Sequence, residues 1–156
     1  SRFSDGSFRV LYLAHTRDCA IAETVFHWGR FYAATEEATT DFDMRVLAAR
    51  VRAELDDIRG AAPRFRPLYY PDSYRASQAF GRERRRLGKH GIVYDSVRLA
   101  GHDCVAAFRP RGVTIDNSDT YLLYHFDGQR VDRYFEYTDN QWKAAPRADA
   151  PLVRGT

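Results

Sequence analysis

Four polar residues near the start of the chain have types and spacings that could form a ligand site. Glu23 and His27 are four positions apart, so on a helix their side chains share one face and can contact the same ligand. Tyr12 precedes them in a β-rich stretch, and Arg2 carries a guanidinium, which binds phosphate or carboxylate in bidentate geometry. Each residue also has an ordinary interpretation, as a surface carboxylate, a locally bonded histidine or a packed tyrosine. The residue types alone leave both interpretations open.

Several other chemistries lack their sequence motifs here. There is no Gly-x-x-x-x-Gly-Lys-Ser/Thr phosphate loop, no Gly-x-Gly-x-x-Gly run, no His-Glu-x-x-His and no Gly-x-Ser-x-Gly. A nucleophilic Cys19 with His15 or His27 as its base is conceivable, but Cys19 lies on a helical stripe that is predicted to be buried. We therefore expect neither metal catalysis nor nucleotide hydrolysis, and no metal cofactor.

Two predicted elements must position the polar residues. Residues 9–14 are rich in β-forming side chains and follow a turn-forming run at residues 4–7, which predicts a strand. Residues 15–18 offer helix caps, and residues 19–28 carry apolar side chains on one helical stripe, with Gly29 as the expected end of the helix.

The middle of the chain is less regular. Residues 33–43 predict a polar loop or a frayed helix, whereas residues 44–58 fit both strand and helix periodicity, so the pattern decides neither. Residues 63–71 contain three prolines and predict irregular structure. Asp72 and Ser73 are then expected to cap a helix at residues 74–87.

The remainder predicts strands. Residues 91–94 and 104–108 are strand-like, and an Asp-Gly pair at residue 127 predicts a hairpin with a two-residue turn between residues 120–126 and 130–137. Residues 144–156 have no periodicity and predict a flexible C-terminal tail. The expected organisation is one α+β domain at residues 1–143, with mixed β-sheets and a few helices.

Length and composition agree with that organisation. A chain of 156 residues with 44% hydrophobic residues can form one buried core, and no apolar run approaches the roughly 20 residues that cross a membrane. Cys19 and Cys104 are far apart in sequence, which indicates no disulfide framework and favours a reducing, cytoplasmic location. The net charge is only +3, but all 24 basic residues except Lys89 and Lys143 are arginine.

Two blocks of the sequence resemble the signatures of the RES domain, a family that includes the toxins of a class of type II toxin–antitoxin systems. The first block contains RFS at residue 2, LA at residue 13 and AE at residue 22, with Tyr12 ten residues after Arg2 and Glu23 eleven after Tyr12. The second is the run GIVYDSVR at residues 91–98, followed by GHDCV at residue 101. The resemblance extends from Arg2 to about residue 110.

The resemblance implies a fold similar to that of NAD-consuming ADP-ribosyltransferase toxins, with a site made by Arg2, Tyr12 and Glu23. Ser96 matches the serine of the second block, and His27 matches a frequent helix position. In these toxins a segment usually precedes the arginine. Because the chain starts at Ser1, we expect either that upstream residues are missing or that partner contacts hold Arg2, which would otherwise fray.

The implied chemistry is cleavage of the bond between nicotinamide and ribose in NAD, which is the substrate. Glu23 would stabilise the oxocarbenium-like transition state, and Arg2 would bind the pyrophosphate or ribose. Tyr12 would offer a ring for nicotinamide to stack on, His27 would contribute to NAD binding, and Ser96 would hydrogen-bond the cofactor or the arginine.

Relatives in the family are expected to differ in the acceptor of ADP-ribose. Transfer to a target protein, arresting growth, is favoured slightly here, because the arginine-rich helix and the aromatic hairpin could dock a protein. The alternative is an NAD phosphorylase or glycohydrolase that depletes cellular NAD. The resemblance also implies a cognate antitoxin of helix-turn-helix type that covers the active site and makes all contacts to DNA.

A non-enzymatic nucleic-acid-binding module is the rival class. The arginine run at residues 82–86, with Tyr69, Tyr70 and Tyr74 before it, combines basic and stacking groups. The same run is also interpreted simply as a solvated helix face. Nucleic-acid binding would fall steeply with salt and would not depend on Glu23.

Overall fold

Helix α1 (Arg17–Ala34) lies between two four-stranded sheets and contacts strands of both in the computed structural model. The structure describes residues 1–36, 38–60, 63–71, 73–109, 111–116 and 120–147. Within these ranges, ten strands, helix α2 (Arg75–Arg86) and a 3₁₀ helix (Pro63–Tyr69) complete the fold. The predicted fold class, a single α+β domain with mixed sheets and a few helices, is confirmed.

The first sheet carries the second sequence block. Its strands, in the order β1-β6-β5-β4, are β1 (Leu11–Ala14), β6 (Asp103–Ala107), β5 (Gly91–Asp95) and β4 (Asp56–Asp57). All neighbours are antiparallel except β4 and β5, which are parallel. Both faces are covered, because Val93 and Tyr94, adjacent on β5, lie in different apolar clusters. The strands predicted near residues 9–14, 91–94 and 104–108 are confirmed.

The second sheet packs against the other side of α1. Its antiparallel order is β10 (Gln141–Ala144), β9 (Val131–Glu136), β8 (Tyr121–Phe126) and β2 (Thr40–Arg45). Strands β3 (Ala48–Val51) and β7 (Val113–Asp116) form a separate pair. Ile21 and Val25 of α1 pack on the second sheet, and the hydroxyls of Thr24 and Tyr124 are 2.9 Å apart. Cys19 packs instead in the cluster on the first sheet, so α1 joins the two halves of the core.

Helix α1 is longer than predicted. It begins as expected, with the Thr16 side chain accepting a hydrogen bond from the Cys19 N–H. The expected end at Gly29 is wrong, because Gly29 is buried inside the helix, against the backbone of Val131. The hairpin packs against the helix at this point, and the helix continues through Gly29 to Ala34.

The segment after α1 is mainly strand. Residues 40–43, predicted as loop or frayed helix, belong to β2, whose alternating burial places Phe42 and Met44 on the core. Residues 44–58, which fitted two periodicities, form the end of β2, then β3 and β4. The strand pattern prevails because each segment has a hydrogen-bonding neighbour in β8, β7 or β5.

The C-terminal hairpin is confirmed, but its turn is longer than the predicted two residues. Residues 127–130 join β8 to β9, and Asp127 Oδ1 accepts hydrogen bonds from the N–H groups of Gln129 and Arg130. The predicted tail begins too early, since Ala144 ends β10 and Ala145 packs on the core. Its remainder from residue 148 lies outside the described residues.

Helix α2 is confirmed, but its predicted cap is wrong. The N-cap is Tyr74, which makes no side-chain capping bond, and Asp72 lies outside the described residues. Ser73 precedes the cap. The irregular structure predicted for residues 63–71 is wrong for most of the segment, which forms the 3₁₀ helix Pro63–Tyr69 with Pro67 inside it.

The arginines of α2 are bound largely to their own chain. Arg82 forms an ion pair with Asp5, Arg84 lies over the Phe80 ring, and Arg85 donates a hydrogen bond of 2.6 Å to the carbonyl oxygen of Phe108. Arg84 and Arg85 are half-buried, so the interpretation of this run as a simple solvated face is wrong for these two side chains, whereas Arg82 stays 58% exposed. The same contacts weaken the case for a nucleic-acid surface. No helix among the described residues is long and apolar enough to span a membrane.

The N-terminal segment crosses α2 at Gly81. Phe3 is 1% exposed, and a Cβ at Gly81 would overlap the Phe3 carbonyl oxygen and lie 3.0 Å from the Phe3 Cβ. A glycine at this point of the helix therefore allows the segment that carries Arg2 to lie against α2.

The two helical glycines provide a matched test of this packing. Gly81→Ala should lower the free energy of unfolding by about 2 kcal/mol, because the added methyl forces the N-terminal segment away. Gly29→Ala should change it by no more than about 1 kcal/mol, since a Cβ there would meet Val131 N at an ordinary 3.4 Å and alanine favours the helix. Urea denaturation of both variants measures the difference, and equal effects would contradict the close packing at Gly81.

Candidate active site

A cavity of about 1080 Å³ lies beside α1, between the first sheet and the segment that leads from β2 to β4. Its size is at the upper end of the roughly 300–1,000 Å³ of small-molecule sites. Four residues predicted from the sequence line it: Arg2, Tyr12, Glu23 and His27. The fold therefore brings together a strand, a helix and the N-terminal segment around one space large enough for a dinucleotide-sized ligand.

Glu23 has one oxygen bound and one turned toward His27. Its Oε1 accepts a hydrogen bond of 2.8 Å from Ser96 Oγ and lies 3.7 Å from Cys104 Sγ. Its Oε2 is 3.9 Å from His27 Nε2, in keeping with their spacing of one helical turn. The side chain is 22% exposed, so the carboxylate is accessible from the cavity while its orientation is fixed.

Ser96 holds Glu23 and does not contact the cavity. It is 0% exposed, and its hydroxyl accepts hydrogen bonds of 3.1 Å from the N–H groups of Arg98 and Leu99. With both acceptor positions used, the one hydroxyl proton goes to Glu23. This differs from the expectation that Ser96 bonds the cofactor or Arg2, because burial after β5 leaves a ligand no access to it.

Arg2 is held by the chain itself. It is 8% exposed, and its Nη1 donates hydrogen bonds of 2.9 and 3.2 Å to the carbonyl oxygens of Leu68 and Tyr70. Its Cζ lies 4.9 Å from the centre of the Tyr74 ring. The expected fraying is therefore not seen, and contacts within the chain hold Arg2 without a partner protein.

Tyr12 connects strand β1 to the N-terminal segment. Its hydroxyl accepts a hydrogen bond of 2.9 Å from the Phe3 N–H and donates one of 3.1 Å to Ser1 Oγ. Burial raises the pKa of Tyr12 above its usual value. The neutral hydroxyl thus positions the segment that carries Arg2, while the rest of the side chain faces the cavity.

His27 lies at the more open side of the site. Desolvation lowers its pKa, and the positive charges of Arg98 and Arg2 lower it further, against an opposing effect of Glu23. At neutral pH the imidazole is therefore uncharged and can accept or donate a hydrogen bond.

The cysteine hypothesis is not supported by the geometry. Cys19 is 0% exposed, as its place on the apolar stripe predicted, and its Sγ lies 3.6 Å from Cys104 Sγ. The contact with Cys19 and burial raise the pKa of the Cys104 thiol. The same contact lowers the pKa of the Cys19 thiol. Both thiols are free, but Cys19 is enclosed in the core cluster on the first sheet, where no substrate can reach it.

Arg98 and Tyr74 also line the cavity, and sequence analysis gave neither a role in this site. Arg98 is 5% exposed, with its Cζ 3.3 Å from the centre of the Phe26 ring. One available signal was the position of Arg98 as the last residue of the second sequence block. Nothing in the local sequence indicated that Phe26 and Tyr74 would meet it from two helices far apart in the chain.

Metal ligands are not clustered in the part of the chain that the structure describes. No three His, Cys, Asp or Glu side chains there are grouped so that they could hold an ion. The absence of a metal cofactor stays a prediction.

Comparison with known proteins identifies the family. The profile of the RES domain matches residues 1–127, which include every residue of the site described above. The chain is also 27% identical over 144 residues to the uncharacterized protein y4oC of Sinorhizobium fredii (strain NBRC 101917 / NGR234). That alignment covers 88% of this chain and 56% of the relative, so the chain spans little more than half of the relative's length. The family match extends over well more than half of the chain, which therefore belongs to the RES-domain family.

Proposed function

We propose that this RES domain is an NAD-consuming enzyme that breaks the bond between nicotinamide and ribose. The observation that carries the proposal is the Glu23 carboxylate, held by the fully buried Ser96 at the wall of a cavity that also contains the Arg2 guanidinium. A fixed carboxylate and a guanidinium match, respectively, the cationic ribose of the transition state and the anionic phosphates of NAD. The family resemblance supports the same substrate.

The proposed reaction needs no group that changes oxidation state. The nicotinamide nitrogen leaves with the electron pair of the glycosidic bond, which neutralises its positive charge, and ribose C1 becomes electron-poor. Glu23 stabilises that charge and accepts a hydrogen bond from a ribose hydroxyl. A nucleophile then bonds to C1 and releases its proton to solvent or to the neutral His27.

The proposed acceptor of ADP-ribose is a protein side chain. Support comes from the rim of the cavity, where Trp28 and Leu47 are 37% and 49% exposed. An exposed apolar rim favours contact with a macromolecule. The arginines of α2 give less support than the sequence suggested, because several bind their own chain. Transfer to phosphate or water, which would deplete NAD, is the second candidate and produces free ADP-ribose 1″-phosphate or ADP-ribose.

We further propose that the protein acts as the toxin of a type II toxin–antitoxin system in the bacterial cytoplasm and arrests growth. Its cognate antitoxin, of helix-turn-helix type, would cover the cavity and make the contacts to DNA. The same apolar rim supports this partner, because it borders the site that inhibition must close. Co-expression with the gene that neighbours it, followed by co-purification, tests the partner directly.

Glu23→Gln should reduce nicotinamide release by about 100- to 1,000-fold, because it removes the charge but keeps the shape of the side chain. The measurement is chromatographic detection of nicotinamide after incubation of the purified chain with NAD and cell extract, with and without phosphate. Glu83→Gln, an exposed carboxylate on α2, is the control and should retain full activity. Equal rates for both variants would refute the assignment of Glu23.

Ser96→Ala should lower both the stability and the turnover number. The loss of the hydroxyl frees Glu23 and leaves two N–H groups without their acceptor, at a cost of about 1–3 kcal/mol. Ser77→Ala is the matched control, because Ser77 is also 0% exposed but donates only to the carbonyl oxygen of Tyr74. Ser77→Ala should lose stability at most and should keep its turnover number. A turnover number that falls equally in both variants would show that Ser96 acts only through stability.

The pKa of His27 should lie below 6.5 in the folded chain, as measured by NMR titration of its imidazole. Removing the positive charge with Arg98→Met should raise this pKa, and Glu23→Gln should lower it. Because the unfolded chain binds the proton more readily, His27 should make stability rise with pH from the folded pKa up to about 6.5. A pKa above 6.5 would mean that the Glu23 charge outweighs burial and the two arginines.

A further inference from the structure

Two buried arginines meet at one side chain on the wall of the cavity. Arg2 lies with its Cζ 4.9 Å from the Tyr74 ring centre, and Arg98 Nη2 lies 3.5 Å from the Tyr74 hydroxyl. Both residues are at least nine-tenths buried, with 8% of Arg2 and 5% of Arg98 exposed, and both line the cavity. They come from opposite parts of the chain and are brought to the same place only by the fold.

Neither arginine has a carboxylate partner among the described residues. The guanidinium of Arg2 donates to the carbonyl oxygens of Leu68 and Tyr70, and that of Arg98 to the carbonyl oxygen of Pro71 at 3.3 Å and the Tyr74 hydroxyl. Each uses a single nitrogen for these bonds. The other N–H groups of both side chains make no hydrogen bond within the part of the chain that the structure describes.

Two other arginines of the same cavity are different. Arg59 forms ion pairs with Asp57 and Asp103, and Arg17 forms one with Glu136. The charges of Arg59 and Arg17 are therefore neutralised within the protein, whereas Arg2 and Arg98 contact only neutral oxygens and aromatic rings in the part of the chain that the structure describes. Burying a cation without a counter-ion is costly, so an anionic ligand at this point would be stabilised by both charges.

The aromatic rings orient the two guanidiniums. Arg98 is stacked on Phe26 at 3.3 Å, and Arg2 lies against Tyr74. A planar guanidinium held by its face keeps its N–H edge free for bidentate bonds to phosphate. Two such edges, one over the Tyr74 ring and one beside its hydroxyl, suit a ligand with two linked phosphates better than a ligand with one.

We propose that Arg98 is a substrate-binding residue that forms, with Arg2, a clamp for the diphosphate of a dinucleotide or an ADP-ribosyl group. This rests on the proposed function, because NAD and ADP-ribose are the diphosphates that the reaction would use. The clamp makes the site prefer a diphosphate over a monophosphate, because Arg98 supplies a second cation beside Arg2. The carboxylate of Glu23 then acts on the ribose beyond the clamp.

Calorimetric titration of the full chain with ADP-ribose, ADP, AMP and adenosine tests the clamp. Arg98→Met keeps the apolar stem over Phe26 and removes the charge. It should weaken ADP-ribose and ADP binding by about 10- to 100-fold and leave adenosine binding unchanged. Arg98→Lys should recover part of the loss, because lysine restores the charge but not the planar fork. Arg59→Met, the control with a neutralised charge, should bind ADP-ribose within about twofold of the unmodified chain.

The stability of the free protein gives an independent readout. Since Arg98 pairs with no carboxylate among the described residues, Arg98→Met should melt at the same temperature as the unmodified chain or higher. Saturating ADP-ribose should raise the melting temperature of the unmodified chain and of Arg59→Met by more than that of Arg98→Met.

The outcomes that would overturn the clamp differ from those that would overturn the proposed reaction. No binding of ADP-ribose to the unmodified chain, or equal affinity in Arg98→Met and Arg59→Met, overturns the clamp. Cleavage of NAD with an unchanged KM in Arg98→Met also overturns it, while leaving the proposed function in place. Binding of ADP-ribose that depends on Arg98, without any release of nicotinamide, supports the clamp and overturns the proposed reaction.

Discussion

The hydrogen bond from Ser96 to Glu23 is the interaction on which the site depends. It joins helix α1 to the turn after β5, and therefore joins the two halves of the molecule at the carboxylate itself. Ser96 can make this bond in only one direction, since its lone pairs already accept from two N–H groups. The local structure after β5 thus dictates which carboxylate oxygen is held and which one stays available.

The protonation and hydrogen bonding of the other polar groups of the site depend on how far each is removed from water. Arg2 is buried and Tyr12 is half-buried because the N-terminal segment lies against α2 at Gly81, and each finds hydrogen-bond partners there. Partial desolvation and the cations beside it lower the pKa of His27, whose side chain stays 54% exposed. The site thus combines a neutral hydroxyl, a neutral imidazole and the Arg2 guanidinium around a carboxylate that keeps contact with the cavity.

The sequence predicted most elements, and its errors have physical causes. Gly29 ends the predicted helix because glycine usually marks helix ends, whereas in the fold the helix continues through Gly29, which lies buried against the hairpin at Val131. Residues 44–58 were ambiguous because apolar spacing cannot show whether a hydrogen-bonding neighbour exists, and β5, β7 and β8 provide one. The arginines of α2 were interpreted as a surface because sequence does not show that Asp5 and Phe108 lie beside them.

By itself the sequence determined the fold class and the family, and it predicted four residues that line the cavity: Arg2, Tyr12, Glu23 and His27. These depend on residue type and on spacing along the chain. Only the tertiary structure decided which groups meet: the Ser96 bond to Glu23 spans 73 positions, and Arg98 reaches Tyr74 across 24. Partner choice, burial and the balance of charge arise from packing between elements distant in sequence. For that reason the role of Ser96 and the meeting of Arg98 with Arg2 at Tyr74 appear only in the folded chain.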